Sequence, residues 1–182
     1  MNREQQYNHT SKYLTIVLIV VFLIIFFPLS AFSADLTGKA TRILDGDTFH
    51  FLSDSPPPSN VKVHKDGTVS VRLRGCDAPE KDQPYGREAT ENLKELLTGK
   101  NLRVEVVDID RYKRIAGYVY AGSILVNLEQ VKAGYAWAYA QYLDRPYASE
   151  FYDAEKEARE KKRGLWQEVN PKPPWEWRKA RR

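Results

Sequence analysis

The chain has 182 residues, a formal net charge of +4 and 42% hydrophobic residues. It contains one cysteine and three histidines (His9, His50 and His64) without the spacing of metal ligands. An internal disulfide is therefore impossible, and the composition argues against a zinc site.

Residues 14–27 are almost all aliphatic or aromatic, and Pro28 and small residues follow them. This is the outline of a secretory signal that is cleaved near Ala34. An uncleaved membrane anchor is the alternative, because no charged residue occurs from Tyr13 to Ala34. The short apolar core favours cleavage. We therefore expect a secreted or periplasmic protein, or else a membrane-anchored one whose domain lies outside the cytoplasm.

A shift in composition after Ala34 divides the chain into three predicted segments. Residues 1–34 are the signal peptide or anchor, residues 35–170 form one domain, and residues 171–182 are a basic, aromatic C-terminal tail. The part after the shift is long enough for one domain with a core. We expect the proline-rich start of the tail to pack on the domain as a strap. The basic cluster 178–182 is either a polyanion-binding surface or a frayed tail.

The first polar motif is Asp45-Gly46-Asp47-Thr48, which lies between two apolar runs. An Asp-Gly pair between such runs predicts a β-hairpin. The motif is then a plain hairpin tip, or Asp47 supplies a carboxylate to a hard cation.

The second motif is the run V-R-L-R-G-C-D-A-P-E, which predicts a strand that ends in a sharp turn. Arg72 and Arg74 are two residues apart and therefore share one face of the strand. Pro79 forces the chain out of the strand near Asp77, and Glu80 follows. Carboxylates beside a guanidinium suit metal-assisted phosphate chemistry, because attack on a phosphodiester builds negative charge. The alternative is a solvated strand face followed by an ordinary turn.

The third motif is a charged turn over residues 110–113, with Arg114 at the start of the next strand. Alone it is most simply a solvated hairpin tip.

Two carboxylates from the first two motifs, with a backbone carbonyl and waters, suit Ca²⁺ or Mg²⁺ better than a softer metal.

The predicted strands and helices define a fold class. The strands are Gly38–Leu44, Thr48–Leu52, Val69–Gly75, Leu102–Val107 and Ile115–Tyr120. The helices are Pro84–Leu97, Asn127–Ala133 and Ala148–Arg163. Five short strands with about three helices indicate a mainly β protein, a five-stranded Greek-key barrel of the OB-fold type.

The three motifs together resemble the staphylococcal-nuclease-like (thermonuclease) family. D-G-D-T, R-L-R-G-C-D-A-P-E and D-R-Y-K-R-I-A-G-Y-V-Y match the family pattern in order and spacing, from about Lys39 to Trp166. The resemblance implies that Ca²⁺ is held by Asp47, Asp77 and the backbone carbonyl of Ala78, with Asp45 next to this set.

The same resemblance assigns catalytic and substrate-binding residues. It implies that the catalytic residues are Arg72, Glu80 and Arg114. It implies that the substrate nucleotide is bound by Tyr112 and Tyr142. The gapless match places Ala140 where the family has another tyrosine, so that tyrosine is missing or is replaced by Tyr139. Arg74 has no place in the pattern and is expected to be a surface or ion-paired residue.

The function implied by the resemblance is a Ca²⁺-dependent endonuclease that hydrolyses DNA and RNA and leaves 3′-phosphate ends. Its partners are then the DNA and RNA substrates, with a membrane only if the N-terminal segment stays uncleaved, and no obligate protein partner. The alternative is a non-catalytic OB-fold nucleic-acid-binding module. A membrane-anchored interaction protein would rest only on residues 14–34.

Overall fold

A computed structural model describes residues 35–181 of the chain. The predictions of a signal peptide or anchor, and of the protein's location, concern residues 1–34, which lie outside the described residues, and they stay predictions. Between residues 35 and 181, no helix has the length and apolar character that crossing a membrane requires.

The described part of the chain forms eight strands and four α-helices. The strands are β1 (Leu36–Ile43), β2 (Thr48–Ser53), β3 (Val69–Leu73), β4 (Cys76–Asp77), β5 (Leu102–Ile109), β6 (Ile115–Ala121), β7 (Ile124–Leu125) and β8 (Trp137–Ala138). The α-helices are α1 (Gly86–Leu97), α2 (Val126–Lys132), α3 (Arg145–Glu160) and α4 (Pro174–Lys179). The five predicted strands and three predicted helices all correspond to elements of this set. The additions are helix α4, a short helix in the predicted tail, and the two-residue strands β4, β7 and β8.

The five long strands form a closed barrel. They are hydrogen-bonded in the order β3-β2-β1-β5-β6, and a parallel pairing of β3 with β6 closes the sheet. Register shifts in β1 between Ala40 and Arg42, and in β5 between Val106 and Asp108, mark bulges. Bulges bend and twist a strand, which helps a small barrel to close. The predicted mainly β, five-stranded barrel of the OB-fold type is confirmed.

Alternation along the strands directs apolar side chains into the barrel. Phe49 and Phe51 on β2, and Val71 and Leu73 on β3, are at most 1% exposed, because every second residue of a strand shares a face. Helices α1 and α3 pack against the same core. They contribute Ala89, Leu93, Leu97, Phe151 and Ala154.

Two fully buried amide side chains on α2 connect the barrel to the loops at one of its ends. Asn127 accepts a hydrogen bond from the backbone N–H of Val119 (2.8 Å) and donates to the carbonyls of Arg74 (2.9 Å) and Gly117 (3.0 Å). Gln130 donates to the carbonyl of Gly46, in the turn between β1 and β2. Helix α2 therefore holds the end of β3 and the β1–β2 turn in fixed positions.

The β1–β2 turn also requires glycine for steric reasons. A Cβ atom at Gly46 would lie 2.7 Å from the Cβ atoms of both Ala78 and Ala89. Real Cβ contacts are longer than this, so a side chain at position 46 would push the turn away from α1. The close approach places Asp45 and Asp47 next to the chain that leaves β3.

We predict that Asn127→Ala lowers the free energy of unfolding by about 2–5 kcal/mol. The substitution leaves the N–H of Val119 and the carbonyl of Arg74 buried without these partners, at about 1–3 kcal/mol each. Urea denaturation measures the change. Asn101→Ala is the control, since Asn101 is exposed and its loss should cost no more than about 0.5 kcal/mol. Equal stabilities of the two variants would contradict the clamping role of Asn127.

Candidate active site

The three polar motifs meet around one cleft of about 850 Å³. The β1–β2 turn, the segment after β3 and the β5–β6 turn each supply part of its lining. The predicted site residues on this lining are Asp45, Asp47, Arg72, Ala78, Glu80, Tyr112, Arg114 and Tyr142. Asp77 is the exception: its side chain is fully buried and lies beneath Arg72. The structure therefore brings together all the residues that the sequence motifs singled out.

The centre of the cleft is an arginine between two carboxylates. Arg72 donates from Nη1 to Oδ1 of Asp47 (2.7 Å) and from Nη2 to Oδ1 of Asp77 (2.6 Å). The Asp47 and Asp77 residues are 3% and 0% exposed. Arg72 is opposite Thr48 in the β2–β3 pairing, which brings the neighbouring Asp47 within its reach. The sheet register thus assembles this ion-pair network.

Asp47 is fixed by further hydrogen bonds. Its Oδ1 accepts a bond from the hydroxyl of Thr48 (2.8 Å), and its Oδ2 accepts one from the backbone N–H of Ala78 (3.0 Å). The backbone N–H of Leu73 donates to the Asp47 carbonyl (2.8 Å). Asp45 in turn accepts a bond from the backbone N–H of Asp47 (3.0 Å). The turn is therefore rigid, and its carboxylates have defined directions.

Burial dominates the electrostatics of the carboxyl groups. Burial and the nearby charge of Asp47 raise the pKa of Asp45 to about 7. Burial also raises the pKa of Asp77, against the opposing effect of the arginines that bind it. For Arg72, burial alone would lower the pKa, but the carboxylates of Asp47 and Asp77 more than offset it, so the guanidinium stays charged. Buried negative charges of this kind require a positive partner.

The oxygen atoms at this point are the donors that a hard cation would use. The described residues hold no group of three or more His, Cys, Asp or Glu side chains that could bind a metal ion. The two buried aspartates, together with the Ala78 backbone carbonyl that the family resemblance implies as a ligand, would provide an oxygen-only set, to which waters would add. This chemistry fits Ca²⁺ or Mg²⁺ and does not fit a thiophilic metal.

The β5–β6 turn forms another part of the cleft lining. Arg114 pairs with Asp110 through Nε (2.8 Å) and Nη2 (2.7 Å), and its guanidinium lies 5.2 Å from the ring centre of Tyr112. Tyr112 is 58% exposed. An arginine and an exposed aromatic ring are therefore presented side by side to the cleft.

Two tyrosines that follow α2 line the cleft. Tyr142 lines the cleft as expected, and its ring packs edge-on against Tyr139 (5.1 Å between centroids). Tyr139 lines the cleft too, so a tyrosine is present there next to Ala140, the position at which the gapless match lacks one. Arg74 pairs with Asp144 through two hydrogen bonds (2.7 and 3.1 Å), which confirms the ion-paired interpretation.

Sequence reasoning missed the contribution of α4 to the cleft, which consists of Trp175, Arg178 and Lys179. Arg178 donates to Oδ2 of Asp77 (2.8 Å) and to Oε1 of Glu80 (2.8 Å). Burial alone would lower the pKa of Arg178, but these hydrogen bonds raise it overall. For Arg178, the frayed-tail alternative is wrong, because Arg178 binds carboxylates 98 and 101 positions earlier in the chain. No local pattern indicates a contact of this range. The polyanion-binding alternative stays a prediction.

Comparison with known proteins agrees with the motifs. A family model described as staphylococcal nuclease homologue matches residues 70–168. A protein named uncharacterized endonuclease, from Escherichia coli, is 39% identical over 168 residues, which cover 92% of this chain and 97% of that protein. A micrococcal nuclease from Shigella flexneri is 38% identical over 156 residues, which cover 81% and 83%. A staphylococcal-like nuclease from Arabidopsis thaliana is 44% identical over 112 residues, which cover 62% and 34%.

The extent of these matches identifies the class of protein. The chain belongs to the staphylococcal nuclease homologue family and is a hydrolytic nuclease. The family resemblance of the three motifs is thereby confirmed. The alternative of a non-catalytic binding module is not supported.

We predict that Arg72→Met lowers the free energy of unfolding by about 3–5 kcal/mol when no divalent cation is present. Removing one partner of a buried ion pair leaves the other charge uncompensated, and here that charge is the Asp47 carboxylate. Chemical denaturation in chelator measures the loss.

The matched control is Arg103→Met. Arg103 pairs with Asp35 at the surface, where the side chains are 43% and 38% exposed, so its loss should cost about 0–1 kcal/mol. Similar losses in both variants would show that the buried pairs of Arg72 are not special.

Proposed function

We propose that this nuclease is a Ca²⁺-dependent endonuclease that hydrolyses phosphodiester bonds in both DNA and RNA and leaves 3′-phosphate ends. The observation that carries the proposal is the pair of buried carboxylates, Asp47 and Asp77, beside Glu80 and two arginines in one cleft. The resemblance of the three motifs supports the choice of Ca²⁺ and the polarity of cleavage.

Asp47, Asp77 and the carbonyl of Ala78 would hold the cation. When bound, a cation at this position supplies a Lewis acid for a phosphoryl oxygen and orients a water molecule. The Asp47 carboxylate is already held in one conformation before a cation binds, because hydrogen bonds from the hydroxyl of Thr48 and from the backbone N–H of Ala78 fix its side chain.

The arginines are suited to bind the phosphate. Arg72 and Arg114 approach the cleft from different elements, β3 and the end of the β5–β6 turn, so that a phosphodiester between them would meet a guanidinium on two sides. Their planar forks match phosphate oxygens in pairs, and the charge they neutralise grows during attack. They therefore act more strongly on the transition state than on the bound substrate.

Glu80 is the residue placed to take a proton from the attacking water. Its side chain is 35% exposed, on the cleft lining, and follows the buried Asp77 by three positions. A carboxylate at the edge of the cleft can contact both solvent and a bound phosphodiester, which a general base requires. With attack at phosphorus and departure of the 5′ oxygen, the phosphate stays on the 3′ side.

The contacts available to the substrate support broad specificity. Arginine binds the phosphate backbone, which DNA and RNA share. Exposed Tyr112 and Tyr142 can stack on any base, because every base has a π face. Both groups of contacts are indifferent to sequence, which favours the cleavage of either nucleic acid.

We predict that Asp47→Ala and Asp77→Ala each abolish Ca²⁺-stimulated cleavage while the protein still folds. Loss of one of two carboxylates leaves a divalent ion held mostly by water. Purified protein is incubated with single-stranded DNA or RNA, in Ca²⁺ or in chelator, and the product ends are analysed. Asp54→Ala, at an exposed loop position, is the control that should retain activity.

Full activity in chelator, or undiminished cleavage by either aspartate variant, would contradict the cation assignment. Products with 5′-phosphate ends would contradict the proposed direction of cleavage while leaving the nuclease assignment intact.

We predict that Arg72→Lys and Arg114→Lys lower kcat by about 10²–10³-fold, with a smaller effect on KM. An ammonium group cannot reproduce the paired contacts of a guanidinium, and loss of one preorganised donor costs about that much in rate. Tyr112→Ala should instead weaken binding by about 1–3 kcal/mol. The constants kcat and KM are measured on one oligonucleotide.

Controls for these variants lie outside the cleft. Arg103→Lys and Tyr152→Ala remove an exposed arginine fork and an exposed ring, and both should behave as wild type. If the two lysine variants keep the wild-type kcat and only raise KM, the arginines bind substrate without acting in the chemical step.

A further inference from the structure

The C-terminal strap, defined as residues 171–181, is anchored beside the active site. The side chain of Gln83 donates to the carbonyl of Lys172 (2.6 Å). The ring of Trp175 stacks on Tyr139 (5.2 Å between centroids, 3° between planes) and lies edge-on to Trp137 (5.6 Å). This stretch of chain lies entirely outside the family match, which covers residues 70–168.

The strap places the guanidinium of Arg178 directly on the carboxylates of the site. Nη2 of Arg178 lies 2.8 Å from Oδ2 of Asp77, and Nη1 lies 3.2 Å from Oδ1 of Asp77 and 2.8 Å from Oε1 of Glu80. Asp77 is also bound by Arg72, so two guanidinium groups neutralise this one buried carboxylate.

A cation at Asp77 and the guanidinium of Arg178 are mutually unfavourable. Each of them is a positive charge whose best partner is the same carboxylate, and the group is buried, so water screens their repulsion poorly. The bond to Glu80 has a second consequence, since the guanidinium of Arg178 contacts Oε1 of Glu80 and so obstructs the approach of water to that oxygen.

We propose that the strap is an autoinhibitory element, in which Arg178 occupies the place of the divalent cation at Asp77 and is displaced when the cation binds. This inference rests on the proposed Ca²⁺ site. The apparent Kd for the cation is then the intrinsic Kd divided by the fraction of molecules in which Arg178 has left Asp77. Removal of the guanidinium raises that fraction to one and so lowers the apparent Kd. The opposite role, in which Arg178 holds Asp77 ready for the cation, predicts that removal of the guanidinium weakens cation binding.

Side-chain exposure distinguishes Arg178 from its neighbour Arg181 and provides a matched control. Arg181 also forms an ion pair from the strap, but its partner is Asp82, and both side chains are 55% exposed. Arg178→Ala and Arg181→Ala remove the same charge from the same segment. A difference between them therefore reports the contact with Asp77 and excludes a general effect of net charge.

The experiment is calorimetric titration of Ca²⁺ into the purified full-length protein without substrate. Arg178→Ala should lower the Kd for Ca²⁺ by about tenfold or more, because charge-assisted hydrogen bonds of this kind are among the stronger ones. Arg181→Ala should stay within about twofold of wild type. Trp175→Ala, which removes the stacked anchor of the strap, should also lower the Kd. Circular dichroism verifies that each variant is folded.

A Kd that rises in Arg178→Ala, or that changes equally in both arginine variants, would overturn the autoinhibitory role. If wild type binds Ca²⁺, Asp77→Ala does not, and Arg178→Ala matches wild type, the cation site stands and only this inference fails. If neither wild type nor any strap variant binds Ca²⁺, the proposed cation site is itself contradicted, and this inference with it.

Discussion

The contact between Arg72 and the two aspartates on either side of it is the constraint on which the rest of the site depends. Asp47 and Asp77 have almost no exposure to solvent, so their charges are stable only with a positive group between them. The barrel supplies that group from β3, which pairs with the strand that follows Asp47. Other features of the loops serve to keep the two carboxylates in place: a glycine that permits close approach, and amides of α2 that bind the turn and the end of β3.

This arrangement concentrates charged groups beside the cleft, where a guanidinium can bind a substrate. A guanidinium that bridges carboxylates in the absence of a cation is also the group best suited to bind a phosphate. The strap adds a second guanidinium, from Arg178, which binds both carboxylate oxygens of Asp77. In the proposed mechanism both arginines would compete with a divalent cation for the same oxygens, and activation would be an exchange of positive charges around one buried carboxylate.

Much of the barrel could be predicted because its information is local. The bounds of each predicted strand lie within about two residues of the observed bounds, because the alternation of apolar and polar residues and the Asp-Gly turns can be recognised in the sequence. Helix α3 begins at Arg145, three residues before its predicted start, because Pro146 at its first turn favours helix initiation. The parallel closure of β3 with β6 has no local signature, and the sequence did not predict this pairing, although the number of strands and helices did indicate a five-stranded barrel.

The residues of the candidate site could likewise be predicted only where they belong to local sequence motifs. Asp47, Arg72, Glu80 and Arg114 belong to ordered motifs, and the structure places them on one cleft. Asn127 and Gln130 look like ordinary polar residues of a short helix, so only the structure shows that they are buried. Arg178 was hidden in a basic C-terminal cluster, and its partners are about a hundred residues away in sequence, where no periodicity or spacing can indicate a contact.

A crystal structure of the protein soaked with Ca²⁺ tests the central claim most directly, since the claim is that Asp47 and Asp77 are the cation's carboxylate ligands. The account predicts density for an ion bound to both carboxylates, with the guanidinium of Arg178 withdrawn from Asp77. An ion bound elsewhere on the barrel, or a fully loaded crystal in which Arg72 and Arg178 still hold Asp77 as they do here, would contradict it.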